Sequence, residues 1–324
     1  MIVADVACGQ GVSAMHPAFS ILFFTTLAGA AQGLLVALAL AQIGGVAMDS
    51  GFVLQAIALG LVLLLAGLAS SFLHLGHKLR AWRAVLMWRT SWMSREVIVL
   101  PAYIGLTALW WLALYTGADD PLTQALPWAI VFGAIVLWYC TAMIYACLRF
   151  IQEWAHWSTV ANFILIGLAS GSVLTCALAA SSGQAVLLSA LAPWATTATL
   201  VAALIRWYSL RRNSSLRPAS TLQSATGIQA QRLVQTSMGM SGGAFNTREF
   251  FHGASQLVLR NVRWAFVLGL FVLPLGLQLC ALSSAANWPW AWAALLQAPA
   301  LIAERWVFFA QAKHPQNLYY QVVG

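Results

Sequence analysis

Eight stretches of about twenty mostly apolar residues follow one another along this chain, and they restrict the folds open to it. A helix of that length crosses the hydrocarbon core of a bilayer. Charged residues make up only 7% of the chain, against roughly 25% in soluble domains. A soluble protein of 324 residues needs far more charge at its surface. The sequence therefore predicts an all-α polytopic membrane protein, a bundle of eight transmembrane helices forming a single membrane-anchor domain over residues 1–324.

The predicted spans are separated by short polar segments, and their ends are accurate to about four residues. They run near Pro17–Ile43, Phe52–Leu75, Val97–Thr116, Leu126–Leu148, Thr159–Ala180, Ala185–Trp207, Val262–Leu282 and Trp288–Phe309.

The distribution of charge predicts how these spans are oriented. With eight spans, both termini and the loops that follow even-numbered spans lie on one face of the membrane. All 16 Lys and Arg residues fall on that face or at span ends that point to it, whereas the opposite face carries only Asp49, Asp119 and Asp120. Lys and Arg in short loops favour the cytoplasmic side. We therefore expect both termini and the basic face in the cytoplasm, with the protein in the cytoplasmic (inner) membrane of a bacterium.

The long cytoplasmic loop, about 209–258, is rich in Ser, Gln, Thr and Gly. Such a loop is long for a compact bundle. It is either a disordered tether or an arm that orders against a cytoplasmic partner. In the second case NTREFFHG, Asn246–Gly253, is its best candidate for a fixed contact, and Arg248, Phe250 and Phe251 are the candidate docking residues.

A basic segment follows the second span, in the sequence SSFLHLGHKLRAWRAVLMWRTSWMSRE, Ser70–Glu96. Spacings of three and six residues would place Arg80, Arg83 and Arg89 on related faces of a helix. With tryptophans interleaved, the segment is typical of an interfacial helix held by anionic membrane lipid. Alternatively, Arg83, Arg89 and Arg95 dock a partner protein. No nucleic-acid partner is expected.

Three ionisable residues lie at or near membrane depth, where they are costly and are usually paired or functional. A histidine such as His74 can exchange a proton with a quinone oxygen, and a carboxylate such as Glu96 can pass that proton to water. The alternative for His74 is an interfacial side chain bound to a backbone carbonyl. Glu304 should meet a residue on another helix, because its neighbour Arg305 diverges from it by about 100°. That contact is either a structural tie or part of a proton path.

Resident redox cofactors are not expected in this chain. None of the six histidines lies at the middle of a span, where a buried haem would take its axial ligands. The five cysteines form no CxxC pair, so iron–sulfur clusters would belong to another subunit. No nucleotide-binding or hydrolase motif is present, which argues against substrate catalysis by this chain alone.

The chain resembles the membrane-anchor subunits of dimethyl sulfoxide reductase-type molybdoenzymes. The resemblance covers the whole eight-span plan and rests on an early HPAFS, on HLGHKLRAW, on NTREFFHG and on ERWVFF in the last span. The histidine, arginine and glutamate of the family's quinol site match His74, Arg80 and Glu96. The resemblance implies a catalytic subunit with a molybdenum pterin cofactor, a ferredoxin-like iron–sulfur subunit, and electron exchange with ubiquinone or menaquinone.

One departure from the family pattern determines the direction of electron transfer that we expect. In the reductase branch the catalytic subunits are exported, whereas the basic face is assigned here to the cytoplasm. That arrangement resembles the sulfite-oxidising branch, sulfite dehydrogenase, which reduces quinone. His74 would bind one quinone oxygen, Arg80 would stabilise the developing negative charge, and Glu96 and Glu304 would relay protons, with quinone between the ends of the second, third and eighth spans.

Two other functions stay open. The same anchor could oxidise quinol for a dimethyl sulfoxide, tetrathionate or polysulfide reductase, because a quinone site works in both directions. A secondary transporter is disfavoured, since the sequence has no convincing internal repeat and its ionisable residues lie at one face rather than at the midplane.

Overall fold

The computed structural model describes residues 19–73, 78–118, 120–217, 221–233, 255–284 and 286–313, and the regular structure within these residues is helical throughout. Eight segments of it are long and apolar enough to cross a membrane, which confirms the predicted all-α, eight-span fold. The elements are α1 Phe19–Ile43, α2 Ser50–Leu73, a 3-10 helix Lys78–Met87, α3 Trp92–Thr116, α4 Pro121–Ala146, α5 Trp157–Ser181, α6 Ala185–Ser215, α7 Leu222–Thr226, α8 Gln256–Val267, a π-helical turn Leu268–Val272, α9 Leu273–Ser284 and α10 Trp288–Ala310.

Among the spans that begin earlier than their apolar stretches predict, α3 and α4 do so because polar residues cap them. Ser91 accepts a hydrogen bond from the backbone N–H of Ser94 at the start of α3. Asp120 Oδ1 accepts one from the N–H of Thr123 at 2.7 Å at the start of α4. Side chains of this kind satisfy the free N–H groups of a first helical turn. The earlier start of α3 places Glu96 inside the helix rather than in the preceding loop.

The centre of the bundle is a close crossing of α1 and α5, the two most buried spans. Each helix carries a GxxxG pattern, Gly29–Gly33 in α1 and Gly167–Gly171 in α5. A Cβ built on Gly33 would overlap the backbone carbonyl of Gly167, and one built on Gly171 would overlap the backbone of Gly33. Small residues allow helix backbones to approach in lipid, where apolar burial does not favour association. The glycines therefore position α1 and α5 as the core of the bundle.

The seventh span departs from regular α-helix at a π-helical turn that precedes Pro274. Proline has no N–H, so the carbonyl four residues earlier, that of Leu270, loses its usual donor. Gln297 of α10 fills this role, since its Nε2 donates to the Leu270 oxygen at 3.1 Å. An unpaired carbonyl in the membrane is costly, so this side-chain hydrogen bond both stabilises the irregular turn and joins the last two spans.

The helix neighbours determine which side chains can meet. α3 packs mainly against α2 and α4, whereas α10 packs against α1, α5, α8 and α9. In the described bundle α1, α4 and α5 therefore lie between α3 and α10, and the quinone position expected between the ends of the second, third and eighth spans stays a prediction.

Candidate functional site

The Glu and Arg side chains buried in the described bundle lie at one end, which we call the basic end. It comprises the first turns of α1, α3, α5 and α8 and the last turns of α2, α4, α6 and α10, brought together because successive spans run antiparallel. This is the face that was predicted from the charge distribution. It has an exposed layer, formed by the 3-10 helix, and a buried layer inside the bundle.

The exposed layer is the 3-10 helix Lys78–Met87, which we call the interface segment. An α-helix was expected here, but the three-residue spacing of Arg80 and Arg83 also fits a 3-10 helix, in which residues three apart are eclipsed. Both arginines are exposed. Trp82 and Leu86 are each 64% exposed, as suits an amphipathic segment at the membrane interface. His74 lies outside the described residues.

Arg95 makes its contacts within its own neighbourhood, and its predicted role in docking a partner stays a prediction. Its Nε and Nη2 donate to the carbonyl oxygens of Trp88 and Arg89, each at 2.9 Å. Its guanidinium carbon lies 4.0 Å from the centroid of the Trp92 ring. These contacts fasten the turn between the interface segment and α3. Arg95 thus holds this turn in place, whereas Arg89 is exposed.

Glu96 is buried in the first turns of α3 and is 7% exposed. Its Oε1 accepts a hydrogen bond from the hydroxyl of Thr141 on α4. A carboxyl group in an apolar interior is stabilised mainly through such bonds. The sequence reasoning selected Glu96 as ionisable at membrane depth but did not identify Thr141, because a threonine within a span normally bonds to its own helix, as Thr107 does.

Glu304 of α10 lies in a buried cluster with two arginines, which we call the ion triad. Arg206 Nη2 of α6 is 2.8 Å from Glu304 Oε1, and Arg305 Nε is 3.6 Å from Glu304 Oε2. The exposed fractions of the three side chains are between 1% and 4%. Glu304 thus meets a residue on another helix, as predicted. Its partner is Arg206 rather than an arginine of the interface segment.

Aromatic rings enclose the ion triad. The guanidinium carbon of Arg305 lies 4.0 Å from the centroid of the Phe163 ring and 5.7 Å from that of Phe308. Trp154, in the loop between α4 and α5, stacks on Phe308 and donates from Nε1 to its carbonyl oxygen at 3.0 Å. An aromatic face stabilises a cation that is withdrawn from water. The loop is therefore a cover over the triad rather than a simple connection.

His156 ends this covering loop and caps α5. Its Nδ1 accepts a hydrogen bond from the N–H of Ser158 at 3.2 Å. Partial burial, and secondarily the neighbouring guanidinium of Arg212, lower the pKa of His156. Both effects disfavour the charged imidazolium, so a neutral imidazole is the form that suits this capping role.

Between Glu96 and the ion triad lies a small internal cavity of about 10 Å³. Its walls come from α1, α4, α5 and α10, and they include Thr141 and Arg305. Gln32 and Trp138 also line it, and the Gln32 Oε1 and Trp138 Nε1 atoms are buried without a hydrogen-bond partner. Such a space holds about one water molecule and does not admit a quinone ring.

The structure thus brings some predicted residues together and leaves others apart. Glu96 and Glu304 belong to the same buried layer, joined through Thr141, the cavity and Arg305. Arg80, Arg83 and Arg89 lie in or beside the exposed interface segment. Arg248, Phe250 and Phe251 lie outside the described residues. The participants that the sequence reasoning missed are Thr141, Arg206 and Arg305. The signal for the two arginines was available, since a charged side chain at a span end, next to apolar sequence, must find a partner.

Comparison with known proteins places the chain in context. The model of a family described as "DMSO reductase anchor subunit (DmsC)" matches residues 13–242. The C subunit of sulfite dehydrogenase from Allochromatium vinosum is 44% identical over 328 residues, an alignment that covers 96% of this chain and all of that protein. Both matches include the interface segment, Glu96 and Thr141, and the second also extends over the seventh and eighth spans.

Proposed function

Because this chain belongs to the DMSO reductase anchor subunit family, we propose that it anchors a molybdenum-containing catalytic subunit and an iron–sulfur subunit to the membrane and passes electrons between the iron–sulfur subunit and membrane quinone. We further propose sulfite oxidation as the reaction served, with quinone as the electron acceptor. The observation that carries the substrate proposal is the identity of 44% to a sulfite dehydrogenase subunit over nearly the whole chain.

The distribution of charge supports a docking surface at the basic end. Arg80, Arg83 and Arg89 are exposed there, and the Lys and Arg residues of the chain would all lie on the cytoplasmic side if the orientation predicted from charge is right. The soluble partners would then bind in the cytoplasm of a bacterium, against the inner membrane. An acidic or polar face on the iron–sulfur subunit would complement the interface segment electrostatically.

The quinone in this proposal approaches from the lipid and stays at the surface of the bundle. The internal cavity is too small for its ring, whereas the interface segment offers the exposed Trp82 two residues after Arg80, and the exposed Trp88 follows the segment directly. A guanidinium can stabilise negative charge on a quinone oxygen, and His74 would donate to the other oxygen. When bound, quinone accepts two electrons and two protons. Glu96 would supply or remove a proton at its carboxylate, and Thr141 would orient that group.

The test compares two electron acceptors on the assembled complex. We expect His74→Ala and Glu96→Gln to lower sulfite oxidation with quinone by tenfold or more, because each removes a group that handles protons. Sulfite oxidation with a soluble acceptor, which draws electrons from the partner subunits, should be unchanged. Arg211→Gln is a matched control, since Arg211 is exposed at the same end and its guanidinium lies over the ring of Trp207. Full quinone-linked activity in both test variants would refute these roles.

One alternative is supported by a specific observation, the family description itself, which refers to a reductase. In that case the same surface would oxidise quinol and deliver electrons to the catalytic subunit. Reduced quinone, rather than sulfite, would then drive turnover of the purified complex with dimethyl sulfoxide, tetrathionate or polysulfide as the acceptor. A complex that oxidises sulfite with quinone, and turns over none of these acceptors with quinol, would exclude the alternative.

A further inference from the structure

Buried charge in the basic end is unbalanced if the ion triad is considered alone. Arg206 and Arg305 are two cations, and Glu304 is one anion. The anion is closer to Arg206, at 2.8 Å, than to Arg305, at 3.6 Å. A guanidinium is charged at every physiological pH, so Arg305 needs a second source of negative charge. Stacking on Phe163 helps to stabilise this cation but does not neutralise it.

A buried carboxyl group on another helix, that of Glu96, is connected to Arg305 through Thr141 and the cavity. Thr141 hydrogen-bonds Glu96 and lines the cavity, and Arg305 lines the same cavity. Tyr145, one helical turn after Thr141 on α4, packs its ring against those of Phe163 and Phe308, the same two rings that face the guanidinium of Arg305. The Thr141 hydroxyl donates its proton to Glu96, so its oxygen lone pairs remain free to accept a bond from the cavity side.

The cavity has the size and the polar lining of an internal water site. A buried water needs about 10–15 Å³ and two to four hydrogen-bond partners, and this cavity measures about 10 Å³. Gln32 Oε1 offers an acceptor and Trp138 Nε1 a donor, and both atoms lack a protein partner. Their side chains are 2% and 3% exposed. Two buried polar atoms of opposite kind that line one small cavity are satisfied together by a single water.

We propose that this cavity binds one water molecule, and that the water joins the Glu96–Thr141 pair to Arg305, making Arg305 the counter-charge of Glu96. The ion triad and Glu96 then hold two cations and two anions, while the third buried carboxylate at this end, that of Glu153 in the loop between α4 and α5, accepts a hydrogen bond from the backbone N–H of Lys313 instead. Arg305 is a positioning residue in this proposal, because it acts on Glu96 rather than on quinone. The proposal depends on the proposed function only for the use of Glu96 in proton transfer, and the coupling itself is independent of it.

Other groups near Glu96 do not supply the same counter-charge. On its own helix Arg95 is bound to the carbonyls of the preceding turn. On α4 the titratable neighbours are Cys140 and Tyr145, which are neutral in their protonated forms. The sequence of α2 from Ser50 to Leu73 contains no titratable side chain. Arg305 is therefore the buried cation best placed to stabilise the ionised form of Glu96.

The test follows the protonation of Glu96 in the assembled complex by infrared spectroscopy, with the carboxyl band assigned by its loss in Glu96→Gln. We expect Arg305→Gln to increase the ratio of protonated to ionised Glu96 by about tenfold at a given pH, since a one-unit change in a titration midpoint is tenfold in that ratio. Arg305→Lys should restore most of the ionised form. Arg211→Gln is the control with the same change of charge at an exposed site.

A second pair of variants tests the water independently of the charge. Thr141→Val removes the hydroxyl bridge and should also increase protonated Glu96. Gly29 lines the cavity, and a Cβ there would meet only the Gly167 Cα at 3.9 Å. Gly29→Ala should therefore fold, displace the water, and move the ratio in the same direction by a smaller factor. A ratio in Arg305→Gln and Gly29→Ala equal to that of the Arg211→Gln control would overturn the proposal.

These results separate the two hypotheses. If Glu96→Gln keeps full quinone-linked activity while Arg305→Gln still shifts the band, the proton-relay function fails and the coupling stands. If Glu96→Gln loses activity and the band is unmoved in every cavity variant, the relay stands and the coupling fails. Should Arg305→Gln not accumulate in the membrane, Gly29→Ala and Thr141→Val decide the outcome, because both keep every charge of the buried layer.

Discussion

Replacing Glu304 by glutamine should cost this protein a large part of its stability. The substitution keeps the size of the side chain but removes the only anion within 4.0 Å of Arg206 among the described residues. Removing one member of a buried ion pair typically costs about 3–5 kcal/mol, because the remaining charge stays buried without compensation. Here two guanidinium groups, those of Arg206 and Arg305, are left together. We therefore expect a loss toward the upper end of that range.

A loss of this size is easily measured, since domains are typically stable by only about 5–15 kcal/mol. The assay is equilibrium unfolding of the purified chain in mixed micelles as the fraction of denaturing detergent is increased, followed by tryptophan fluorescence. Asp120→Asn is the matched control, because it also removes one acidic charge but keeps a good helix cap. Its unfolding midpoint should stay close to that of the unchanged protein.

A double variant tests whether the loss comes from unpaired charge. Arg206→Met combined with Glu304→Met replaces the pair by apolar side chains, which is often neutral for buried pairs. It should recover most of the stability lost in Glu304→Gln. If Glu304→Gln instead unfolds like Asp120→Asn, the ion triad does not hold α6 to α10. If such a stable variant also loses quinone-linked activity, Glu304 belongs to the proton path, the other role predicted from the sequence.

Three further predictions concern separate parts of the bundle. Gly171→Ala places a methyl group against the backbone of α1 and should destabilise the chain by about 1–3 kcal/mol. Gly105→Ala should not destabilise it, because a Cβ at Gly105 meets nothing within 4 Å. Thermal unfolding in detergent compares the two variants. Gln297→Leu leaves the Leu270 carbonyl without its donor and should cost about 1–3 kcal/mol in the same assay. Hydrogen bonds from the start of α4 lower the pKa of Asp120 in the folded protein. The stabilisation from its helix cap is therefore complete above the unfolded-state pKa of about 3.9 and is lost as the pH falls through the lower folded-state pKa. Amide exchange in the first turn of α4 should accelerate only at that acidic pH.

The eight spans could be predicted from the sequence because length and apolar composition decide whether a helix crosses a membrane. Their neighbours could not, because helices in lipid associate through close backbone contact and not through a periodic apolar face. The crossing of α1 and α5 is an example: Gly33 and Gly171 lie in GxxxG patterns that are visible in the sequence, but nothing in either pattern states which helix is the partner.

The candidate site shows the same difference: its buried carboxylates could be predicted from the sequence, but their partners could not. Burial made Glu96 and Glu304 recognisable, because a carboxylate between apolar residues is costly in a membrane and must be paired. The identity of each partner depended on helix order. Thr141 gives no sign in the sequence that it bonds Glu96 rather than its own helix. Arg206 lies almost one hundred residues from Glu304 along the chain, and only the packing of α10 against α5 and of α9 against α6 brings the two together.

The two layers of the basic end also limit which arginines can recognise a partner. A guanidinium that is already buried, paired and stacked on a ring, as Arg305 is, would have to give up these contacts before it could bind another protein. Arg95 is similarly occupied by two carbonyl oxygens. Arg80, Arg83 and Arg89 are exposed, and exposed charges can form interface pairs at low desolvation cost. Binding of the proposed iron–sulfur subunit should therefore weaken with increasing salt through these three residues, while the ion triad, shielded from ions, should respond little to salt.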